Sequence, residues 1–195
     1  VCLEHLSPHG QIVFGVGNRD AEGFFCGEAP GEAEEQSGEP FVGPAGALLD
    51  KIIKAMGLRR EEVYIGNILN WRPEHTKKTG NRKPGAAEMA FGLPYLRAQL
   101  EIVQPRVIVA LGLTAVEGLL GSEPKWTMKA VRGQWHAFEN IPLRATYHPS
   151  YLLRQEAVGA AQSKRSKRQL WEDMLAVMEH LEMPITEKQR GYYAD

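Results

Sequence analysis

Apolar positions along the chain alternate between two patterns. Phe24-Phe25-Cys26, Val63-Tyr64-Ile65, Val107-Ile108-Val109-Ala110-Leu111 and Arg144-Ala145-Thr146-Tyr147 are short runs that read as strands. Between them the spacing changes to three and four residues. Leu48, Leu49, Ile52, Ile53 and Met56 predict a helix that Gly57 stops. Residues 86–103 predict a helix interrupted near Gly92 and Pro94, residues 114–120 a short helix, and residues 167–181 an amphipathic one. The third strand is apolar throughout, as central parallel strands are. Strand–helix alternation therefore predicts an α/β fold, with a parallel sheet covered by helices on both faces. The tail from Pro184 lacks apolar periodicity and is expected to be mobile, which leaves residues 1–183 as one domain.

In such sheets ligands sit beyond the carboxyl ends of the strands. The segments there are Gly27–Gly31, Gly66-Asn67, Gly112-Leu113 and His148–Arg154. Three of the four carry polar or Gly/Pro-rich sequence suited to a site. Gly27-Glu28-Ala29-Pro30-Gly31 holds a carboxylate on a tight turn. Taken alone, it reads first as an ordinary strand–loop–helix connection. Pro40-Phe41-Val42-Gly43-Pro44 leads into a helix whose first amides suit an anion. Asn67 can donate and accept, as reading a base edge requires, or simply cap a turn. His148 at a strand end can donate to developing negative charge. Tyr151, Leu152 and Leu153 beside Arg154 read either as an apolar wedge for DNA or as a helix start with its leucines packed inward. The histidines show no metal-ligand spacing, so no metal is assigned.

Composition narrows the setting more than the chemistry. The net charge is −1, so DNA binding has to rest on local patches. Two candidates are His75 to Lys83, with Lys77, Lys78, Arg82 and Lys83, and the group Lys164, Arg165, Lys167 and Arg168. Each reads equally as a solvated face. No apolar run reaches the length of a membrane span, and the first residues lack the pattern of a signal peptide. Two cysteines, Cys2 and Cys26, do not make a disulfide framework in a chain this long, and a reducing, cytoplasmic setting is expected.

Taken in order, several segments resemble the uracil-DNA glycosylase superfamily, and its family 4 branch most. They are Gly27–Gly31, Gly38 to Gly46, Val63-Tyr64-Ile65-Gly66-Asn67, Trp71-Arg72-Pro73 and His148-Pro149-Ser150-Tyr151-Leu152-Leu153-Arg154. The resemblance covers roughly residues 11–181. It implies a four-stranded parallel sheet between helices, in three layers. It also implies that Phe41 stacks on a flipped uracil, Asn67 bonds its polar edge, Glu34 lies toward C5, and His148 faces O2. Glu28 would position water, and Gly27 and Ala29 would line the base site. Leu152, with Tyr151 and Leu153, would wedge the duplex. Gly43, Ser150, Arg154, Arg82 and Lys83 would lie near DNA.

Three departures qualify the resemblance. Family 4 enzymes usually hold a four-iron cluster on four cysteines. Here Trp71 stands where the third is expected, and residues 88–91 supply no fourth. Cys2 could match one amino-terminal ligand, whereas Cys26 falls inside a strand. No cluster and no other cofactor is therefore expected, with Trp71 filling part of the vacated volume. Ala29 replaces an Asp found in some members, which leaves Glu28 as the carboxylate for water. The loop 74–85 lacks the Arg-Arg-Ile-His pattern of a relative that captures the sugar covalently, so turnover is expected. The implied activity is hydrolysis of the N-glycosidic bond of deoxyuridine in DNA by a monomer that releases free uracil, with wider action on deaminated bases open. The alternative is a protein that captures uracil-DNA without turnover.

Overall fold

Strand β2 (Gly23–Gly27) and strand β4 (Val107–Leu111) are buried at every position. That is why both segments are apolar throughout, and it places them at the centre of the sheet. The computed structural model describes residues 10–74, 81–122 and 125–194. Cys2 and the basic residues Lys77 and Lys78 lie outside the described residues.

The remaining elements are β1 (Val16–Gly17), α1 (Glu32–Ser37), α2 (Pro44–Ala55), β3 (Tyr64–Asn67), α3 (Ala86–Val103), α4 (Leu113–Leu120), α5 (Met128–Val131), β5 (Trp135–Phe138), β6 (Ile141–Thr146), α6 (Pro149–Val158), α7 (Ala160–His180) and α8 (Glu187–Arg190). The sheet order is β1-β3-β2-β4-β6-β5. The four expected strands, β3, β2, β4 and β6, pair in parallel. The sheet is wider than expected, because β1 and β5 add short antiparallel edges. β1 is too short to show a period, and although β5 alternates in burial, its exposed positions are Trp135 and Ala137, so the alternation is not one of polar and apolar residues.

Successive side chains of the central strands feed opposite cores. Phe25, Ile65, Val109 and Leu111 pack with Leu49 and Ile53 of α2 and with Met174 and Met178 of α7. Phe24, Cys26, Ile108 and Ala110 pack with Leu96 and Leu100 of α3 and Val116 and Leu119 of α4. Helix α3 is not interrupted. Pro94 sits inside it and removes one backbone bond, yet the helix continues. Gly92 has a packing role instead: a Cβ there would come within 2.6 Å of the Ile68 carbonyl oxygen. Tertiary packing overrides the two weak helix formers.

The segment after Pro184 bonds back to the domain at several points. The Trp171 indole donates to Gln189 O at 2.6 Å, and the Gln189 amide donates to Ala55 O at 2.9 Å. Arg168 donates to the carbonyls of Arg190 and Tyr192. These are side-chain-to-backbone bonds, which apolar periodicity does not register. Among the described residues no helix is long and apolar enough to cross a membrane.

Candidate active site

Parallel pairing puts the carboxyl ends of β2, β3, β4 and β6 on one edge of the sheet. Gly27 pairs with Asn67, and Leu111 with Thr146, so the segments leaving these strands emerge together. A cavity of about 690 Å³ opens there. Glu28, Ala29, His148, Ser150, Tyr151, Arg154 and Arg82 line it, together with Thr114 and Tyr147.

Gly27, Asn67 and Phe41 form a second group that joins the first through a ring contact. Asn67 and Phe41 are both buried. A Cβ on Gly27 would collide with the Asn67 amide oxygen and the Phe41 ring, so the close approach requires glycine. The Phe41 ring is stacked on the His148 imidazole, with centroids 5.6 Å apart and planes at 28°. Phe41 has φ of 54°, unusual for a bulky residue. Two side chains hold its loop. Arg60 donates to Pro40 O at 2.6 Å and pairs with Asp50 at 2.7 Å. Glu34 accepts from the amides of Val42 and Gly43 at 3.0 Å each through one oxygen, and from Gly31 N–H at 3.0 Å through the other.

These bonds involve two of the expected site residues, Glu34 and Gly43. Both Glu34 oxygens are engaged with main chain, so the carboxylate ties α1 to the Phe41 loop. The Gly43 amide donates to the same carboxylate. Arg60 was missed, since Arg59-Arg60 before two glutamates carries no motif.

His148 caps α6. Its Nδ1 accepts from Ser150 N–H at 3.1 Å, and the Ser150 hydroxyl lies 2.8 Å from the same nitrogen. A nitrogen that accepts a backbone N–H carries no proton, so in the neutral ring the proton is on Nε2. Burial, with the Arg154 cation adding to it, lowers the His148 pKa to about 4 against an opposing pull from Glu34. The ring is therefore neutral across physiological pH. Arg154 also donates to the Ser150 hydroxyl at 3.3 Å.

Glu28 has the opposite problem. Burial pushes its carboxyl up, the Thr114 hydroxyl and the Lys83 cation pull it down, and Glu117 pushes it up. Thr114 was read only as a helix start. Its partnership with Glu28 depends on two strand ends meeting, which no local pattern shows. Lys83 is paired with Glu117 and Arg82 with both oxygens of Glu88 at 2.7 Å. Both cations thus already have carboxylate partners.

The wedge reading fails at Leu152, which is buried in the core with Leu170 and Leu175. Helix α6 turns this side chain inward, the alternative reading of the same motif. Leu153 and Tyr151 are half-buried, and Arg154 is exposed.

The described residues do not fit an iron–sulfur cluster. Trp71 is buried, edge-on to Phe91 with centroids 5.6 Å apart, and an aromatic pair offers no thiolate. Burial pushes the Cys26 thiol far up, so it stays protonated. Among the described residues no three His, Cys, Asp or Glu side chains are placed to share a metal.

A parallel sheet with a carboxylate, a buried amide and a neutral histidine converging at its carboxyl edge suits hydrolysis at a polar ring. Residues 14–175 match the model of the uracil DNA glycosylase superfamily, and the chain belongs to that family. It is 42% identical over 159 residues to a type-4 uracil-DNA glycosylase of Thermotoga maritima, a match covering 80% of this chain and 78% of that one. A type-4 uracil-DNA glycosylase of Archaeoglobus fulgidus is 42% identical over 147 residues, 72% of this chain and 71% of its own. One of Pyrobaculum aerophilum is 37% identical over 155 residues, with 76% and 73% covered. With two cysteines in all, this chain cannot supply the four thiolates of a cysteine-held cluster.

Proposed function

We propose that this protein is a uracil-DNA glycosylase that hydrolyses the N-glycosidic bond of deoxyuridine in DNA and so opens base excision repair. The observation that carries the reading is the Ser150 N–H bond to His148 Nδ1, which leaves a neutral Nε2–H donor in the cavity that also holds Glu28.

Cleavage leaves electron density on the base and positive charge on the sugar. Nε2–H of His148 donates to uracil O2 as negative charge builds there; a fixed donor in a site closed to water is worth about 3–4 kcal/mol. A neutral donor suits this task, since the proton stays on the histidine. The Glu28 carboxylate orients water and favours the cationic sugar. Asn67 reads the polar edge of the base, and Phe41 packs against its face. Gly27 and Ala29 leave room for the ring. Ser150, Tyr151, Leu153 and Arg154 meet the DNA around the extruded nucleotide, with Arg82 and Lys83 farther along the same rim. The protein acts as a monomer in the cytoplasm and releases free uracil.

The test is incubation with duplex and single-stranded oligonucleotides bearing uracil, hypoxanthine, xanthine or a G·T mismatch, followed by alkali. Strand breaks at uracil with free base in solution are expected. A protein–DNA species that survives a denaturing gel, with no free base, would replace this reading with lesion capture.

A further inference from the structure

Asp173 of α7 is fully buried and takes no part in the chemistry above. Its carboxylate accepts from Arg132 Nε at 2.7 Å, from Thr146 Oγ1 at 2.8 Å and from Arg144 Nε at 3.2 Å. Both guanidinium groups are nearly enclosed, with side-chain exposures of 10% for Arg132 and 8% for Arg144. Burying two cations and one anion is a poor way to gain stability, because an apolar cluster of similar volume often does as well or better. The cluster's position suggests a different use.

Thr146 is the last residue of β6, and Tyr147 and His148 follow it directly. Arg132 grips this junction from the far side. Its guanidinium donates to Gln169 O and lies 4.6 Å from the centre of the Tyr147 ring. Gln169 in turn accepts from the Tyr147 hydroxyl at 3.1 Å. On its other side Tyr147 is stacked on Tyr151, with centroids 4.6 Å apart and planes at 22°. Tyr147 and Tyr151 line the same cavity as His148. Tyr147 also lines a second cavity of about 230 Å³, together with Arg132, Arg144 and Asp173. Its ring is thus a partition between the active cavity and a smaller void, and Arg132 is what supports it from the void side.

We infer that Asp173 and Arg132 are positioning residues for base excision. Asp173 orients Arg132 and Thr146, and these hold the Tyr147 ring and the turn that aims His148. This rests on the proposal that the larger cavity is the glycosylase site. Neither residue touches the substrate, so their loss acts on the rate of the chemical step rather than on DNA affinity.

Arg132→Met keeps the aliphatic stem and removes the cation, and Arg132→Lys restores a cation without the planar fork. Single-turnover excision of uracil at saturating protein is measured with both. Binding is measured with a duplex containing uncleavable 2′-fluoro-deoxyuridine. Arg132→Met is expected to slow excision on the order of ten- to a hundredfold, the scale of a displaced catalytic group. Its Kd is expected to stay within about twofold of wild type, a change of under about 0.5 kcal/mol. Arg132→Lys is expected to recover part of the rate. Thermal unfolding identifies variants that fail to fold, and Thr146→Val, which removes one donor to Asp173, then takes the place of Arg132→Met with the same expected split. A folded variant with wild-type excision overturns the inference. So does a loss confined to binding, which would make Arg132 a DNA contact. Wild-type protein inactive on uracil-DNA is a different failure and removes the glycosylase reading itself.

Discussion

The main-chain N–H of Ser150 points at Nδ1 of His148 from 3.1 Å, and that bond decides which nitrogen of the ring keeps its proton. The sequence motif His148-Pro149-Ser150 encodes this directly. Pro149 stands at the first turn of the helix that His148 caps, where its missing N–H is not needed, and the next amide falls to the histidine.

A neutral histidine makes a defined prediction for stability. The folded pKa of about 4 lies below the ordinary value of 6.5. Above pH 6.5 neither state is protonated there and His148 contributes nothing to the pH dependence. Between pH 6.5 and about 4 the unfolded chain takes a proton that the folded chain refuses, so stability falls as pH falls. Below about 4 the loss is complete and the curve flattens. Urea unfolding of wild type and His148→Ala across this range should show the wild type losing ground to the variant on acidification. The same variant should lose about a hundred- to a thousandfold in kcat, as when one oxyanion donor is removed. Parallel stability curves would contradict a histidine buried in its neutral form.

Glu28 carries the acid limb of the rate profile. Its pKa is raised above the ordinary 4.5, chiefly by burial. The carboxylate that orients water is therefore present above that raised value and lost as pH falls through it. Excision should decline on the acid side at a pH above 4.5, and Glu28→Gln should remove that limb along with most of the rate. Thr114→Val deletes a hydrogen bond that lowers this pKa, so the limb should move to higher pH in that variant. Because holding the ionised form in the fold is unfavourable at neutral pH, Glu28→Gln should unfold no earlier than wild type there. A loss of stability with an unmoved limb would assign Glu28 a structural role.

The Glu34 carboxylate holds three backbone amides, and its substitution separates scaffolding from substrate contact. Glu34→Ala leaves donors from Gly31, Val42 and Gly43 without their acceptor, at a cost of about 1–3 kcal/mol for an orphaned polar group. Glu34→Gln keeps one acceptor oxygen and should recover part of this in thermal unfolding. Discrimination between uracil and thymine should change little in Glu34→Gln if the residue acts through the loop. A large gain in thymine release from an otherwise stable variant would return Glu34 to the base site.

How much of this was legible beforehand follows the range of each interaction. Strands β2 and β4 announced themselves because each is apolar over its own length, and Leu49, Ile52 and Ile53 repeat at helical spacing within a dozen residues. The motifs at Gly27–Gly31, Asn67 and His148 could be placed at one edge, since strand ends in a parallel sheet must meet. What stayed hidden depends on pairs far apart in the chain: Arg132 with Asp173, Arg60 with Pro40, Thr114 with Glu28. An isolated arginine or threonine looks the same whether it faces water or a buried carboxylate. The edge strand β1 is two residues long and has no period to detect.

Leu152 and Leu153 turn the two readings of one motif into a measurement. Both are leucines in the first turns of α6, yet Leu152 is 2% exposed within the core and Leu153 is half-buried beside Arg154. Leu152→Ala should destabilise the fold by about 2–5 kcal/mol, the cost of emptying a packed leucine site. Any loss of activity in that variant should disappear when it is assayed well below its unfolding temperature. Leu153→Ala should destabilise the fold less than Leu152→Ala, because its side chain is only half-buried. If Leu153 supplies the apolar wedge, that variant should excise uracil more slowly from duplex than from single-stranded DNA, because only the duplex needs a filler for the gap left by the extruded base. Equal effects on both substrates would leave α6 without a wedge among these two leucines.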